Sequence, residues 1–154
     1  MIGAIFATDE SWGFGNKGKM PWPANKDDFA HFKKLTYGSK IVMGRKTFDS
    51  LPSVLSGRQH IVISSDLSYD NPNVEVYRSI PEALNAIGNS FWVIGGANIL
   101  EQFKYITDFD VLYHTLIDGK YDCDVTLDVN KITEGMIIRD TLVKSGCKIL
   151  KYTH

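Results

Sequence analysis

The sequence predicts an α/β fold in which a mainly parallel, mixed sheet carries helices on both faces. Short apolar, β-branched runs recur at residues 2–7, 40–43, 61–64, 74–77, 91–94, 111–116, 136–143 and 147–152. Several are apolar on both faces, as strands covered from both sides require. Helical patterns fit between them, and the last two runs, joined around Lys144-Ser145-Gly146, read as a C-terminal antiparallel hairpin.

Residues 25–36 carry Phe29, Phe32 and Leu35 at helical spacing, with Asn25 placed to cap the first turn. Residues 45–51 form a short helix directly after a strand. Ser79-Ile80-Pro81-Glu82 is a capping box with proline in its first turn, opening a helix through Ile87. A fourth helix, residues 97–104, follows Gly95-Gly96. At 154 residues the chain fits a single domain spanning 1–154, long enough for one sizeable core.

Hydrophobic residues make up 44% and charged residues 23%, an ordinary globular balance. The net charge of −1 and the absence of a basic block argue against nucleic-acid binding. Cys123 and Cys147 form no CxxC pair, and reduced thiols in a cytoplasmic protein fit better than a disulfide. The apolar start meets Asp9-Glu10 at once and lacks a basic flank, so it reads as a strand rather than a signal peptide. No run approaches the roughly 20 apolar residues of a membrane span.

Gly13-Phe14-Gly15-Asn16-Lys17-Gly18 spells GxGxxG after a strand. That fingerprint binds a dinucleotide only where a helix begins, so that pyrophosphate sits on its N-terminus. Here Pro21 and Pro23 follow and forbid a helix interior. Residues 8–23 read instead as a long flexible loop bearing Trp12, Phe14, Met20 and Trp22, the pattern of an active-site lid.

Three strand-to-turn junctions suit anions. Gly44-Arg45-Lys46-Thr47 sets two cations and a hydroxyl at a helix start; Ser64-Ser65 ends the next strand with two hydroxyls. Gly95-Gly96-Ala97-Asn98 lets backbone approach a ligand closely. Each alone is equally a solvated charge or a tight turn, but three equivalent junctions favour one extended phosphorylated ligand. Cations beside serines, with Arg78 one strand further on, suit a 2′-phosphate and hence NADP over NAD.

Asp27 and Asp28 lie in the first turn of the helix that opens at Asn25. Acids there stabilise the macrodipole, and Asn25-x-x-Asp28 resembles a capping box. Equally, Asp28 shares a helix face with Phe32, and a carboxylate in an apolar pocket would bind a flat amino-heterocycle. Position leaves both readings open. His31, His60, His114 and His154 are isolated, and neither a Ser-His-Asp nor a metal constellation is evident.

Taken together, Met20-Pro21-Trp22 followed by an acid, Phe32-Lys33 with Thr36, residues 41–48, Leu55-Ser56-Gly57-Arg58, residues 61–65 and residues 93–97 resemble the dihydrofolate reductase family over almost the whole chain. The resemblance implies an eight-stranded sheet and NADPH-dependent reduction of dihydrofolate to tetrahydrofolate, with hydride to C6 and a proton to N5. It implies a cytoplasmic monomer serving one-carbon metabolism, inhibited by antifolates. Asp28 looks like the pterin-binding carboxylate, supported by Trp22 through a bound water and by a hydroxyl hydrogen bond from Thr115. Ile5, Ala7, Phe29, Phe32, Leu51, Leu55 and Ile94 would line the substrate cleft, and Arg58 would grip the tail carboxylate.

On the cofactor side the resemblance implies Ala7, Gly15 and Met20 at nicotinamide and ribose. Gly44, Arg45, Lys46, Thr47, Ser64, Ser65 and Arg78 would hold the phosphates and adenosine end. Gly95, Gly96, Ala97, Asn98, Ile99 and Gln102 would cradle the rest, with a cis peptide between the paired glycines. The chain departs from common bacterial members by an extra residue between Trp22 and the acid, by His31 for Trp, by Leu100 for Tyr and by Cys123-Asp124 for Gly-Asp. Two other readings compete: a same-fold reductase of a riboflavin-pathway pyrimidine, which needs no tail-carboxylate clamp, and a non-catalytic NADPH-binding or structural module.

Overall fold

The computed structural model describes all 154 residues. In chain order the elements are β1 Ile2–Thr8, β2 Gly13–Gly15, α1 Lys26–Thr36, β3 Lys40–Gly44, α2 Arg45–Ser50, β4 Gln59–Ile63 and β5 Glu75–Tyr77. There follow α3 Ile80–Ile87, β6 Phe91–Gly95, α4 Ala97–Ile106, β7 Val111–Ile117, β8 Val125–Thr126, α5 Val129–Ile132, β9 Ile137–Lys144 and β10 Cys147–Thr153. Eight strands form one sheet in the order β5-β4-β3-β6-β1-β7-β10-β9. Every pairing is parallel except those of β10 with β7 and with β9. The predicted mixed sheet and terminal hairpin are therefore both present.

Period-two alternation divides the strands between two apolar layers. Ile2, Ala4 and Phe6 of β1, Val42 of β3 and Phe91 and Val93 of β6 join Ile80, Ala83, Leu100 and Phe103 from α3 and α4. On the opposite face Ile5, Ile41, Met43, Val62 and Trp92 pack against Phe32 and Leu35 of α1 and Phe48 of α2. Near the carboxyl end of β7, Trp22, Ile117, Cys147 and Ile149 form a smaller third cluster. Gly3 lets β1 pass Trp92: a Cβ there would lie 2.4 Å from Cζ3 of the indole. Helices thus cover both faces, and the second face holds the larger share of the expected substrate residues.

Two sequence expectations change. Residues 8–23 are not loop throughout, because Gly13–Gly15 pairs with Val125–Thr126 in a separate two-stranded sheet. Sequence periodicity also misses α5, whose four residues are too few to show it. No helix begins at the GxGxxG segment, as the prolines dictate; the next starts at Lys26. Both cysteines are free, and no helix is long and apolar enough to cross a membrane.

Candidate active site

The surroundings of Asp28 bear on both of its readings. Its backbone N–H donates to Asn25 Oδ1 at 3.0 Å, so Asn25 caps α1 as predicted. The Asp28 side chain returns no such bond and is buried, only 9% exposed. Burial raises its pKa, and the nearby Thr115 hydroxyl offsets part of that rise. Thr115 Oγ1 is itself buried without a hydrogen bond of normal geometry. The Thr115 hydroxyl and the Asp28 carboxyl nonetheless face each other, the contact that the resemblance implies. A buried hydroxyl without a partner of normal geometry beside a buried carboxyl is a site for a polar ligand or water.

The second face of the sheet brings together most of the apolar side chains the sequence named. Ile5 belongs to the second-face cluster, with Phe32, Leu51, Leu55 and Ile94 packed against it. Ala7 lies beside Thr115 in register and packs with Trp22, which is buried. Phe29 and Met20 are both 48% exposed and form no part of the closed core. Arg58 donates from Nη1 to Thr36 Oγ1 at 3.3 Å and from Nε to Ser56 O at 3.1 Å. His60 positions that turn. Leu55 N–H donates to His60 Nε2 at 3.0 Å, so Nδ1–H donates to Arg58 O at 3.1 Å. Burial lowers the His60 pKa and favours this neutral form. His60 has a positioning role that an isolated histidine in sequence does not announce.

The three anion junctions converge at the carboxyl ends of β3, β4, β5 and β6, which are neighbours in the sheet. Gly44 and Gly96 cap α2 and α4 without any side-chain cap, leaving first-turn N–H groups unclaimed by side chains. The Gly95-Gly96 peptide is cis, as the family resemblance implied. A Cβ on Gly95 would lie 3.4 Å from the Phe14 ring and 3.6 Å from Thr47 Oγ1; one on Gly96 would lie 3.4 Å from Thr47 Oγ1. A Cβ on Gly44 would stand 3.0 Å from Ile99 Cγ1. Side chains here would fill the space through which a ligand reaches backbone. Gly15 is half-buried, and Lys46, Ser65, Asn98 and Gln102 are exposed. Leu100 is fully buried in the first core cluster, so no hydroxyl stands there.

Asp66 was not foreseen. Its Oδ2 is 3.1 Å from Arg45 Nη1, and its backbone N–H donates to Ser64 Oγ at 3.3 Å. Arg78 donates to Asp66 O and Tyr69 O, at 2.6 and 2.9 Å. Asp9 is a second unforeseen residue: Oδ1 accepts from Ser11 and Gly13 N–H at 2.9 and 2.8 Å, and Oδ2 from Tyr121 N–H at 2.8 Å. It ties the β1–β2 turn to the segment after β7. Its position directly before Glu10 in a turn-forming stretch was the available signal, but the partner lies 112 residues away.

A mainly parallel mixed sheet with a glycine-lined cradle at the carboxyl ends of its strands and a buried carboxyl facing Thr115 defines a ligand-binding α/β architecture. The profile of the family described as dihydrofolate reductase matches residues 1–141. A dihydrofolate reductase of Staphylococcus aureus is 34% identical over 123 residues, 80% of this chain and 75% of that one. One from Mycobacterium tuberculosis is 40% identical over 102 residues, 64% of this chain and 62% of that one. The solved dihydrofolate reductase of Enterococcus faecalis, complexed with NADP(H) and RAB-propyl, superposes with a TM-score of 0.85 at 28% identity, covering 99% of this chain and 95% of that one. The chain belongs to the dihydrofolate reductase family.

Proposed function

We propose that this chain reduces 7,8-dihydrofolate to 5,6,7,8-tetrahydrofolate with NADPH, and that Asp28 is the carboxyl that holds the pterin. The family supports the reaction, and the relative solved with NADP(H) supports the cofactor. The carrying observation within the molecule is Asp28: buried, raised in pKa and without a side-chain partner of normal geometry, opposite the equally unpartnered Thr115. The pterin edge, with its amino group and ring N–H, is the chemistry that such a pair satisfies.

The residues present fit the cofactor. Glycines at 44, 95 and 96 leave room for close approach to backbone, and Thr47 Oγ1 faces the paired glycines. Gly44–Thr47, Ser64, Ser65 and Arg78 would hold the phosphates and adenosine end, and Gly95–Ile99 with Gln102 the remainder. Bound there, NADPH supplies the hydride that goes to C6 of the pterin. Ala7, Gly15 and Met20 would flank the transfer position, with the segment from Gly15 to Trp22 excluding water. Ile5, Phe29, Phe32, Leu51, Leu55 and Ile94 would enclose the pterin and benzoyl groups, and Arg58 would clamp the α-carboxylate of the tail. Asp28 retains its proton to a higher pH than an ordinary aspartate, next to the heterocycle that gains a proton at N5. Trp22, packed with Cys147 and Ile149, would support Asp28 through a bound water.

NADPH absorbance after mixing with dihydrofolate tests this directly. Rapid substrate-dependent loss, absent without dihydrofolate and abolished by a diaminopteridine, is the expected result. Tight NADPH binding with no loss would refute dihydrofolate as substrate.

A further inference from the structure

We propose that Asp66 sets cofactor preference by competing with the 2′-phosphate of NADPH for Arg45, narrowing the advantage of NADPH over NADH. The inference rests on the reading that Arg45 and the serines after β4 receive that phosphate. The Asp66 carboxylate is built into place. Its Oδ1 accepts from Ser68 N–H at 2.9 Å and Ser68 Oγ–H at 2.7 Å, which turns Oδ2 onto Arg45 at 3.1 Å. These bonds, with Arg45 adding to them, hold the carboxyl below its ordinary pKa, so it carries its charge throughout the neutral range. Arg45 is flanked a second time, by Asp49 Oδ2 at 3.7 Å from Nε, and its guanidinium stacks on the Tyr69 ring at 4.5 Å.

Arg78 is fixed at the edge of this site, one N–H of each Nη donating to the carbonyls of Asp66 and Tyr69 and its remaining N–H groups free. A phosphomonoester carrying about −1.5 to −2 charges that reaches Arg45 meets a fixed carboxylate beside it. Either the two anions share one guanidinium, or Asp66 gives up its bonds to Arg45 and Ser68. A free 2′-hydroxyl meets no such penalty. It can donate to the carboxylate, the same recognition that an acidic residue gives the ribose of NAD. Asp66 thus disfavours the phosphate and accepts the hydroxyl at one position.

Calorimetric titration with adenosine 2′,5′-bisphosphate and with adenosine 5′-monophosphate separates these effects without any turnover. Asp66→Asn keeps an oxygen to accept from Ser68 and replaces the anionic oxygen facing Arg45 with an uncharged NH2. It should tighten the bisphosphate about five- to ten-fold while shifting the monophosphate less than about two-fold. The ratio of NADH to NADPH dissociation constants should rise by the same factor. Arg45→Ala should weaken the bisphosphate selectively and abolish the effect of Asp66→Asn. An unchanged bisphosphate affinity in Asp66→Asn, with Arg45→Ala still weakening it, overturns the proposal and leaves the phosphate assignment intact. No selective weakening in Arg45→Ala overturns the assignment and the proposal with it.

Discussion

Replacing Asp9 by Asn removes one charge from a carboxylate that organises three backbone amides. Asp9 exposes no surface, yet its neighbours Glu10 and Tyr121 are exposed, so water stands close behind it. Burial pushes its pKa up, but N–H groups of Tyr121, Gly13 and Ser11, with the Cys123 thiol, outweigh burial and hold it below the ordinary 3.8. Asn keeps Oδ1 for Ser11 and Gly13 but turns an NH2 toward the Tyr121 amide, where two donors then face each other. Hydrogen bonds to a charged acceptor contribute about 1.5–3 kcal/mol against about 1 for neutral ones. One bond is lost and two are weakened; discounted for nearby solvent, the loss is about 2–3 kcal/mol. For a chain of this size that lowers the melting temperature by roughly 4–12 °C. The pH dependence has a definite sign. A carboxylate depressed in the folded state stabilises above its unfolded pKa, and that contribution disappears as pH falls through the folded value. Urea titrations at neutral pH and below pH 3.8 should therefore show a gap between the two proteins that closes in acid. A gap of under about 0.5 kcal/mol at neutral pH, or one that persists unchanged in acid, would refute the role given to these bonds.

Asp28→Asn should reduce dihydrofolate turnover severely, leave NADPH affinity nearly unchanged by fluorescence titration, and stabilise the protein at neutral pH. The stability sign is opposite to that of Asp9. The folded pKa of Asp28 is raised, so stability falls as pH climbs from the ordinary 3.8 through the folded value, and Asn escapes that loss. Equal loss of turnover and cofactor binding would make Asp28 a structural residue. Gly3→Ala should destabilise by about 1–3 kcal/mol in urea, because its Cβ would lie 2.4 Å from a buried indole on the paired strand. Stability within about 0.5 kcal/mol of the parent would mean that Trp92 yields easily.

The centre of the large sheet was legible because its strands are apolar on their own account, and burial on two faces leaves a local record at 2–8, 40–44 or 91–95. β2 and β8 left none. Gly13–Gly15 contains two glycines and Val125–Thr126 has two exposed residues; they pair because Asp9 and the surrounding backbone bonds gather the two segments. The site divides similarly. Gly95-Gly96 and Arg45-Lys46-Thr47 show their chemistry in adjacent residues. The ion pair of Arg45 with Asp66 spans 21 positions, and the histidine that holds the Arg58 turn acts through backbone atoms that any residue possesses.

Two nearly identical patterns show where local reasoning ends. Asn25-x-x-Asp28 and Ser79-x-x-Glu82 both place a capping residue three positions before an acid. In both the first residue performs its part, accepting from the amide of the acid at 3.0 and 3.2 Å. Glu82 then completes a return contact, one residue earlier than the simple box, by accepting from Arg78 N–H at 2.9 Å. Its carboxylate remains exposed and needs nothing else. Asp28 makes no return, although its own helix offers the same geometry. The difference lies in what each helix rests on. α3 opens at the surface, whereas the first turn of α1 presses Asp28 toward Thr115 on β7 and Cys147 on β10, away from bulk solvent. A cap contact would serve the helix. Leaving the acid unpaired instead sacrifices some stability for a polar group poised in an apolar wall, and a ligand edge with matching donors recovers it.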